Sequence, residues 1–388
     1  MTTALHRTKT TPGSDRGTYT YISVYSAVLY TVLLTAPVVA GKLTEQFALT
    51  PVQVGGLFSA ELGAFSLATI PAYLWLKRLN LRTATYLFTA VVVLGNLVSG
   101  FIDDFGWLVA ARVITSLAAG SITVILLTLS GRTSNPSRAF GLFVVFQLAM
   151  GALILAVFPA LYAGTGVAAI YWTLAGLAAL CVLVVPQIDG EALRGSAPAP
   201  ADSRTRTRPP IAQYITGLAA VLLFYIALSG VWAFMAQISA GSGIDLSATS
   251  LVLSVATVAG IASALLATVL GDTPRRRLYL RMGYLGMALS VALLFGAPGL
   301  LRFAVAAVIF KFAWTLILPY LLSTLSDLGG SQVMNTTNLM IGTGFAIGPI
   351  VSGTLVQAGG FSGMLAFSLA AVVASLLCVL VVQRRTHS

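Results

Sequence analysis

Long apolar stretches alternate with short polar connections along almost the whole chain. Each stretch has the length of about 20 residues that an α-helix needs to cross a bilayer. The pattern predicts an all-α integral membrane protein with twelve transmembrane helices, called spans 1 to 12 below. These spans are predicted at residues 19–41, 53–76, 83–102, 107–130, 139–161, 165–186, 211–238, 247–270, 279–298, 300–326, 334–357 and 361–383.

The composition agrees with a membrane protein. Hydrophobic residues make up 57% of the 388 positions, charged residues make up 9%, and mean hydropathy is +0.93. A soluble domain carries about 25% charged residues. The first apolar stretch is too long for the core of a cleavable signal peptide. Cys181 and Cys378 lie inside spans, where they are expected to be small hydrophobic residues without a disulfide or metal.

Polar segments divide the chain into two halves. Residues 187–210 form the longest polar interruption and are expected to be a cytoplasmic linker. The six-helix bundles then cover 19–186 and 211–383, with tails at 1–18 and 384–388. Because each half carries six spans, we expect two bundles of the same design.

A short repeat supports this division. The sequence Leu-Cys-Val-Leu-Val-Val at 180–185 recurs at 377–382, and Thr-Leu-Ser at 128–130 recurs at 324–326. Apolar sequences repeat by chance, so each match is modest evidence. Together with the central linker and the span count, they favour a duplicated, pseudo-symmetric transporter.

The distribution of basic residues predicts the orientation. The net charge is +11, and eighteen of the 22 Lys and Arg residues fall on the side of the two termini. The positive-inside rule places that side in the cytoplasm, so we expect a multi-pass protein of the cytoplasmic (inner) membrane. The basic residues show no aromatic interleaving, so nucleic acid is not expected as a partner.

At this point the chain resembles the major facilitator superfamily over nearly its whole length. Four local patterns carry the resemblance: 49–55 before span 2, 111–116 in span 4, 271–277 after span 8, and Gly-Pro-x-x-x-Gly within 344–353 in span 11. The resemblance implies a fold in which spans 1, 4, 7 and 10 line a central cavity. Spans 2, 5, 8 and 11 flank that cavity, and the remaining four lie outside.

Two departures distinguish the chain from similar drug/proton antiporters. Span 4 has Thr115 and Ser116 where the family motif has Gln and Gly. The Gly-Pro pattern lies in span 11, whereas those antiporters carry it in span 5.

Only three charged residues lie well inside the spans: Glu61, Arg112 and Lys311. A charge at bilayer depth is costly and is usually placed against a partner or a water-filled cavity. Glu61 and Arg112 lie on neighbouring helices of one half, so we expect an ion pair. Glu61 is the candidate proton carrier, and the resemblance implicates Arg112 in proton coupling. The alternative is a pair that only fixes the packing of spans 2 and 4.

Lys311 is the leading candidate for substrate binding, because no acidic residue lies near it in sequence. It could instead reach Glu61 across the cavity and act as a gate between the halves. Aromatic and amide residues of other spans could bind an aromatic or polar solute, although packing is the simpler role for each. These further candidates are Tyr25, Tyr30, Gln147, Tyr225, Trp232, Trp314 and Asn338.

A conformational gate is expected at two places. Gly348 and Pro349 would let span 11 approach a neighbouring helix closely and bend. A charged group after span 8 would hold the cytoplasmic ends of the second half together, or it could serve only to determine topology. That group consists of Asp272, Arg275, Arg276 and Arg277.

We therefore predict a monomeric secondary transporter that moves a small organic solute, anionic or aromatic, by alternating access, with protons as the coupling ion and efflux as the direction. No cofactor and no enzyme activity are expected, because the chain lacks a P-loop and its two histidines, His6 and His387, lie in the tails. The alternatives are an organic-acid/proton symporter or facilitator, and a non-transporting receptor or assembly factor on the same fold.

Overall fold

The computed structural model describes residues 14–162, 164–192, 210–271 and 275–385. All regular elements within these ranges are helical. Asp272 and most of the predicted linker lie outside the described residues. The predicted fold class is confirmed: the protein is an all-α membrane protein built from two helical bundles.

The first bundle contains spans 1 to 6. Sequence signals set the helix starts: Thr50 and Gln53 form a capping box ahead of span 2, and Asn80 and Asp104 cap spans 3 and 4 with their side chains. Spans 1 and 2 each consist of two helices, and a 3₁₀ turn continues span 6. The helices are Ser14–Leu29 and Thr31–Phe47, Pro51–Leu67 and Thr69–Trp75, Leu81–Ser99, Phe105–Ser130, Pro136–Tyr162, and Val167–Cys181 with Val182–Gln187.

The second bundle contains spans 7 to 12. Its first three helices are Ile211–Ala240, Leu246–Leu270 and Arg276–Leu293. Helical residues then run from Leu300 to Arg385. Asp245 caps the helix of span 8 by accepting a hydrogen bond from the backbone of Ala248.

The stretch Leu300–Arg385 makes three passes through the bundle. Tyr214 donates a hydrogen bond to Thr336 (2.7 Å), and the neighbouring Gln213 donates to the carbonyl of Val382 (3.3 Å). Residues 336 and 382 therefore lie at the same end of the bundle, and the chain between them goes out and returns. The reversal falls at Gly360, whose φ of 69° lies in the left-handed region that glycine adopts readily.

The remaining turn separates spans 10 and 11. A Cβ added at Gly217 would lie 2.6 Å from Leu325, so the end of span 10 also reaches this end of the bundle. Within the described residues the contacts thus give twelve passes, although ten segments there are long and apolar enough to count as membrane spans by themselves. The difference has two causes: Thr336–Arg384 is long enough for two spans, and the helix of span 9 begins within an arginine cluster.

Several predicted boundaries were wrong by a few residues. Span 1 begins at Ser14, inside the predicted tail, and span 9 ends at Leu293. The helix of span 1 continues into the polar residues ahead of the apolar stretch, whereas the helix of span 9 ends before Gly296 and Pro298, which do not favour a helix. The start of the predicted linker, residues 187–192, is bound to the first bundle: Arg82 donates to the carbonyl of Ile188 (2.7 Å).

Ser14, residues 187–192 and Arg385 lie on one side of the molecule, called the terminal side; the other is the opposite side. The bundles meet between mid-depth and the opposite side, where spans 2 and 11 run antiparallel. A Cβ at Gly55 would lie 2.2 Å from the carbonyl oxygen of Pro349, and one at Gly353 would lie 2.3 Å from that of Pro51. These two close approaches define the seam between spans 2 and 11.

Hydrogen bonds reinforce this contact between the bundles. The backbone N–H of Ile350 donates to the hydroxyl of Ser59 across the seam (2.9 Å). Between spans 8 and 5, the Ser254 hydroxyl donates to the carbonyl of Ala152 (2.8 Å). The bundles are therefore joined on the opposite side in this conformation.

Candidate functional site

Glu61 and Arg112 form a buried ion pair between spans 2 and 4. Arg112 is 1% exposed and donates from Nε to Glu61 Oε1. The Arg112 Nη1 group donates to Oδ1 of Asn96 in span 3 (2.7 Å). The guanidinium carbon also lies 4.7 Å from the ring centroid of Tyr171 in span 6. The expected pair is thus present, and four helices contribute to it.

Asn96 and Tyr171 are site residues that the sequence analysis missed. Asn96 is held in place because its Nδ2 donates to the carbonyl of Val92 (2.9 Å), which leaves Oδ1 for the arginine. Its signal in the sequence is a single amide within an otherwise apolar part of span 3. Tyr171 gave no comparable signal, because tyrosines are common in spans.

A cavity of about 50 Å³ adjoins the ion pair. A water molecule needs about 10–15 Å³ of such space, so the cavity has room for a few waters. Spans 1, 2, 3, 4 and 6 contribute its walls, and the polar residues among them are Tyr30, Glu61, Asn96, Arg112, Thr115 and Ser116. The Glu61 carboxylate is therefore buried from bulk solvent but lies next to a space that water can occupy.

Tyr30 lies at the break between the two helices of span 1 and lines the same cavity. Its ring packs edge-on against Phe65 of span 2 and Phe143 of span 5, each at 5.3 Å between centroids. Tyr25 is placed differently. Its hydroxyl shares a hydrogen bond with Thr89 of span 3 (2.9 Å), so its contacts are those of a packing residue within the first bundle.

Lys311 is fully buried in the second bundle, where its ammonium lies between two indole rings. Nζ lies 4.0 Å from the ring centroid of Trp232 and 3.7 Å from that of Trp314. Among the residues that the structure describes, Nζ has no hydrogen-bond partner. The side chain fits because span 8 presents Gly260, where a Cβ would come within 3.0 Å of Lys311 Cγ. The alternative bond to Glu61 is not formed in this conformation.

The other substrate candidates do not form one cluster around Lys311. Tyr225 is buried and packs edge-on against Phe345 of span 11 at 4.9 Å between ring centroids. Gln147 in span 5 has a buried Oε1 without a hydrogen-bond partner among the described residues. Asn338 is exposed.

The gate residues occupy two separate places. A Cβ at Gly348 would lie 2.0 Å from the hydroxyl of Ser229, so span 11 packs directly on span 7, while Pro349 faces span 2 at the seam. On the terminal side, Arg276 pairs with Asp327 of span 10 and donates to Ser323 (3.1 Å). Arg275 and Arg277 flank it, and Asp272 lies outside the described residues.

The Arg276–Asp327 pair is expected to contribute little stability. Its side chains are 28% and 40% exposed, so water screens the attraction. We expect Asp327→Asn to lower the free energy of unfolding by less than about 1 kcal/mol. Thermal unfolding of the purified variant beside the parent protein checks this, and a loss as large as that of a buried-pair variant would contradict it.

Two six-helix bundles, joined on one side by the antiparallel spans 2 and 11 and carrying charged residues buried between helices, have the architecture of a membrane transport protein. The family model described as Major Facilitator Superfamily matches residues 21–338, and the chain belongs to this family. No curated protein sequence matches the chain significantly.

Solved structures share the fold. A point mutant of the nucleoside transporter NupG superposes with a TM-score of 0.72 at 12% identity, covering 95% of this chain and 99% of that one. A bacterial homologue of the human lysosomal transporter Spinster, inward-facing and unoccupied, gives a TM-score of 0.69 at 13% identity, with 97% and 98% covered. At these identities the likeness supports the fold alone.

Proposed function

We propose that the protein is a secondary active transporter that exports a small organic solute by alternating access, coupled to proton movement through Glu61. The observation that carries the proposal is the buried Glu61–Arg112 pair beside a cavity that water can enter. Carboxylates placed in this way within membranes are typical of proton pathways. Arg112 then serves as the counter-charge of the Glu61 carboxylate.

Span 2 provides the link from protonation to movement. Glu61 faces span 4, whereas Gly55, Ser59 and Gly63 of the same helix face span 11. Neutralising Glu61 removes the attraction that holds span 2 against Arg112. A shift of span 2 acts directly on the seam, because the helix moves as a unit.

The proposed solute is anionic or partly aromatic. Lys311 supplies a cation, and Trp232 and Trp314 supply ring faces beside it. Tyr30 and Tyr225 add further rings, and Gln147 and Asn338 add polar groups on spans 5 and 11. Lys311 is fully covered in this conformation, so its contact with a solute belongs to another step of the cycle.

The orientation follows from the basic residues. With the terminal side in the cytoplasm, the bundles are joined on the external side and this conformation faces inward. Both termini then lie in the cytoplasm, and the protein resides in the inner membrane as a monomer.

Flux measurement tests the proposal. A thermal-shift screen of organic acids and aromatic drug-like compounds on the purified protein first supplies a solute, and Lys311→Ala should lose the shift. In proteoliposomes carrying a pH gradient, we expect Glu61→Gln to lose at least about tenfold of gradient-driven transport while solute exchange without a gradient is retained. Glu45→Gln is the matched control, because Glu45 is an exposed acid paired with Lys42 at 3.5 Å.

The outcomes separate the competing functions. Full gradient-driven transport in Glu61→Gln would remove the proton role. Inward accumulation of an organic acid with the proton gradient would favour the symporter alternative, for which the two buried cations Arg112 and Lys311 are the supporting observation. An absence of flux for every bound compound would favour a receptor or assembly factor.

A further inference from the structure

Span 1 carries a backbone carbonyl that its own helix cannot satisfy. Pro37 lies inside the helix Thr31–Phe47 and has no backbone N–H. The carbonyl four residues earlier, that of Leu33, therefore lacks its usual helical donor. A carbonyl within a membrane span that lacks a partner is costly, so a donor from elsewhere stabilises it.

The second bundle supplies this donor. Trp232 of span 7 is 1% exposed, and its indole Nε1 donates to the Leu33 carbonyl at 3.0 Å. Trp232 lies eight residues before the end of its helix at Ala240, about 12 Å from the opposite side. The hydrogen bond therefore joins the two bundles within the region where they meet.

Residues of span 10 pack against the Trp232 ring and hold its orientation. The ring is nearly parallel to Phe310 (9° between planes, centroids 6.3 Å apart) and meets Trp314 edge-on at 5.8 Å. The Lys311 ammonium lies over the same ring at 4.0 Å. Among the described residues this ammonium has no hydrogen-bond partner. Its contacts are therefore the cation–π contacts with the rings of Trp232 and Trp314.

We propose that the Trp232–Leu33 hydrogen bond, made possible by Pro37, holds the bundles together on the opposite side, and that Lys311 is the positioning residue for the Trp232 ring. This inference rests on the proposed alternating-access function and adds a residue-level bond to it. A solute that draws Lys311 away from Trp232 would weaken the bond and favour opening of that side. Solute binding and opening would then share one side chain.

Three variants test the bond. Trp232→Phe keeps an aromatic ring but removes the N–H, Pro37→Ala returns a helical donor to the Leu33 carbonyl, and Lys311→Met keeps the apolar stem but removes the cation. Spin labels on Glu45→Cys and Ala240→Cys, in a background with Cys181→Ala and Cys378→Ala, report the distance between spans 1 and 7 on the opposite side. Both label sites are exposed.

We expect each variant to raise the ratio of open to closed molecules by about two- to tenfold, because Trp232→Phe and Pro37→Ala act on one net hydrogen bond and Lys311→Met removes one cation–π contact. Pro37→Ala combined with Trp232→Phe should shift the ratio no further than Trp232→Phe alone, because both act on one bond. Trp172→Phe is the matched control: its indole donates to the Leu97 carbonyl at 3.3 Å, but within the first bundle. It should leave the distance unchanged.

The contrary outcomes are distinct. An unchanged distance in Trp232→Phe, or additive effects in the double variant, would overturn the bond while leaving transport intact. A protein without solute flux would instead overturn the proposed function. If the distance between the spin labels in Lys311→Met equalled that in the parent protein, only the positioning role of Lys311 would be overturned. If Trp232→Phe does not fold, the label distance in Pro37→Ala still tests the hydrogen bond, and the label distance in Lys311→Met still tests the positioning role.

Discussion

Replacement of Arg112 by leucine is expected to lower the free energy of unfolding by about 3–5 kcal/mol, because it leaves Glu61 buried without its counter-charge. The Glu61 side chain is only 5% exposed, and the few waters that the adjoining cavity can hold do not replace the positive charge of the guanidinium. The variant also removes the donor to Asn96 Oδ1, a second buried group. This is the largest stability effect expected from a single side chain in the first bundle.

Thermal unfolding of the purified protein in detergent measures this loss. The double variant Glu61→Gln with Arg112→Leu should recover much of it, since the uncompensated charge is then gone. Arg78→Leu is the control, because Arg78 is an exposed arginine of the same bundle. If the double variant were as unstable as Arg112→Leu alone, the role of Arg112 would be packing against Tyr171 and not charge.

The ion pair shows what the sequence could predict about the site. Glu61 and Arg112 stood out because charges are rare in apolar spans, and opposite charges in one half have few other partners. Asn96 and Tyr171 did not stand out, because amides and tyrosines also occur in spans for packing. Their contact with Arg112 depends on how spans 3 and 6 are rotated, and sequence periodicity within one helix does not determine that rotation.

The environment of Lys311 was predictable only in part. Trp314 lies three residues on, and helical spacing placed it on the same face. Trp232 comes from another helix, and the lysine stem fits because Gly260 in span 8 leaves room for it. Similarly, the break at Tyr30 separates the two helices of span 1, and no proline or glycine at that position predicted it.

The twelve spans were predictable because bilayer thickness sets their length. Their ends were less so, because helices extend into polar residues at Ser14 and Arg276. The contact between the bundles was predictable only in part. Glycines of span 11 predicted a close approach, but the partner helix and the conformation in which they meet follow from tertiary packing. Span 11 uses Gly348 against span 7 and Gly353 against span 2.

Replacement of Gly55 by leucine is therefore expected to force the seam apart. The first side-chain carbon would lie 2.2 Å from the Pro349 carbonyl oxygen and 2.9 Å from its carbon, and backbone atoms cannot give way as a side chain can. Overpacking of this kind costs about 1–3 kcal/mol, which corresponds to a shift of about five- to 150-fold from the closed to the open seam. Transport should fall by a similar factor, because the protein can no longer complete its cycle.

Spin labels on Glu45→Cys and Gln357→Cys, both exposed and on the opposite side, measure the opening. Gly353→Leu should act in the same way, since its Cβ would meet the Pro51 carbonyl at 2.3 Å. Gly176→Leu is the matched control, a helical glycine where an added Cβ meets nothing within 4 Å. A closed-state distance retained in both seam variants would mean that spans 2 and 11 separate or slide at little cost. The movement proposed for Glu61 protonation would then need a different contact between the bundles, because span 2 could shift without opening them.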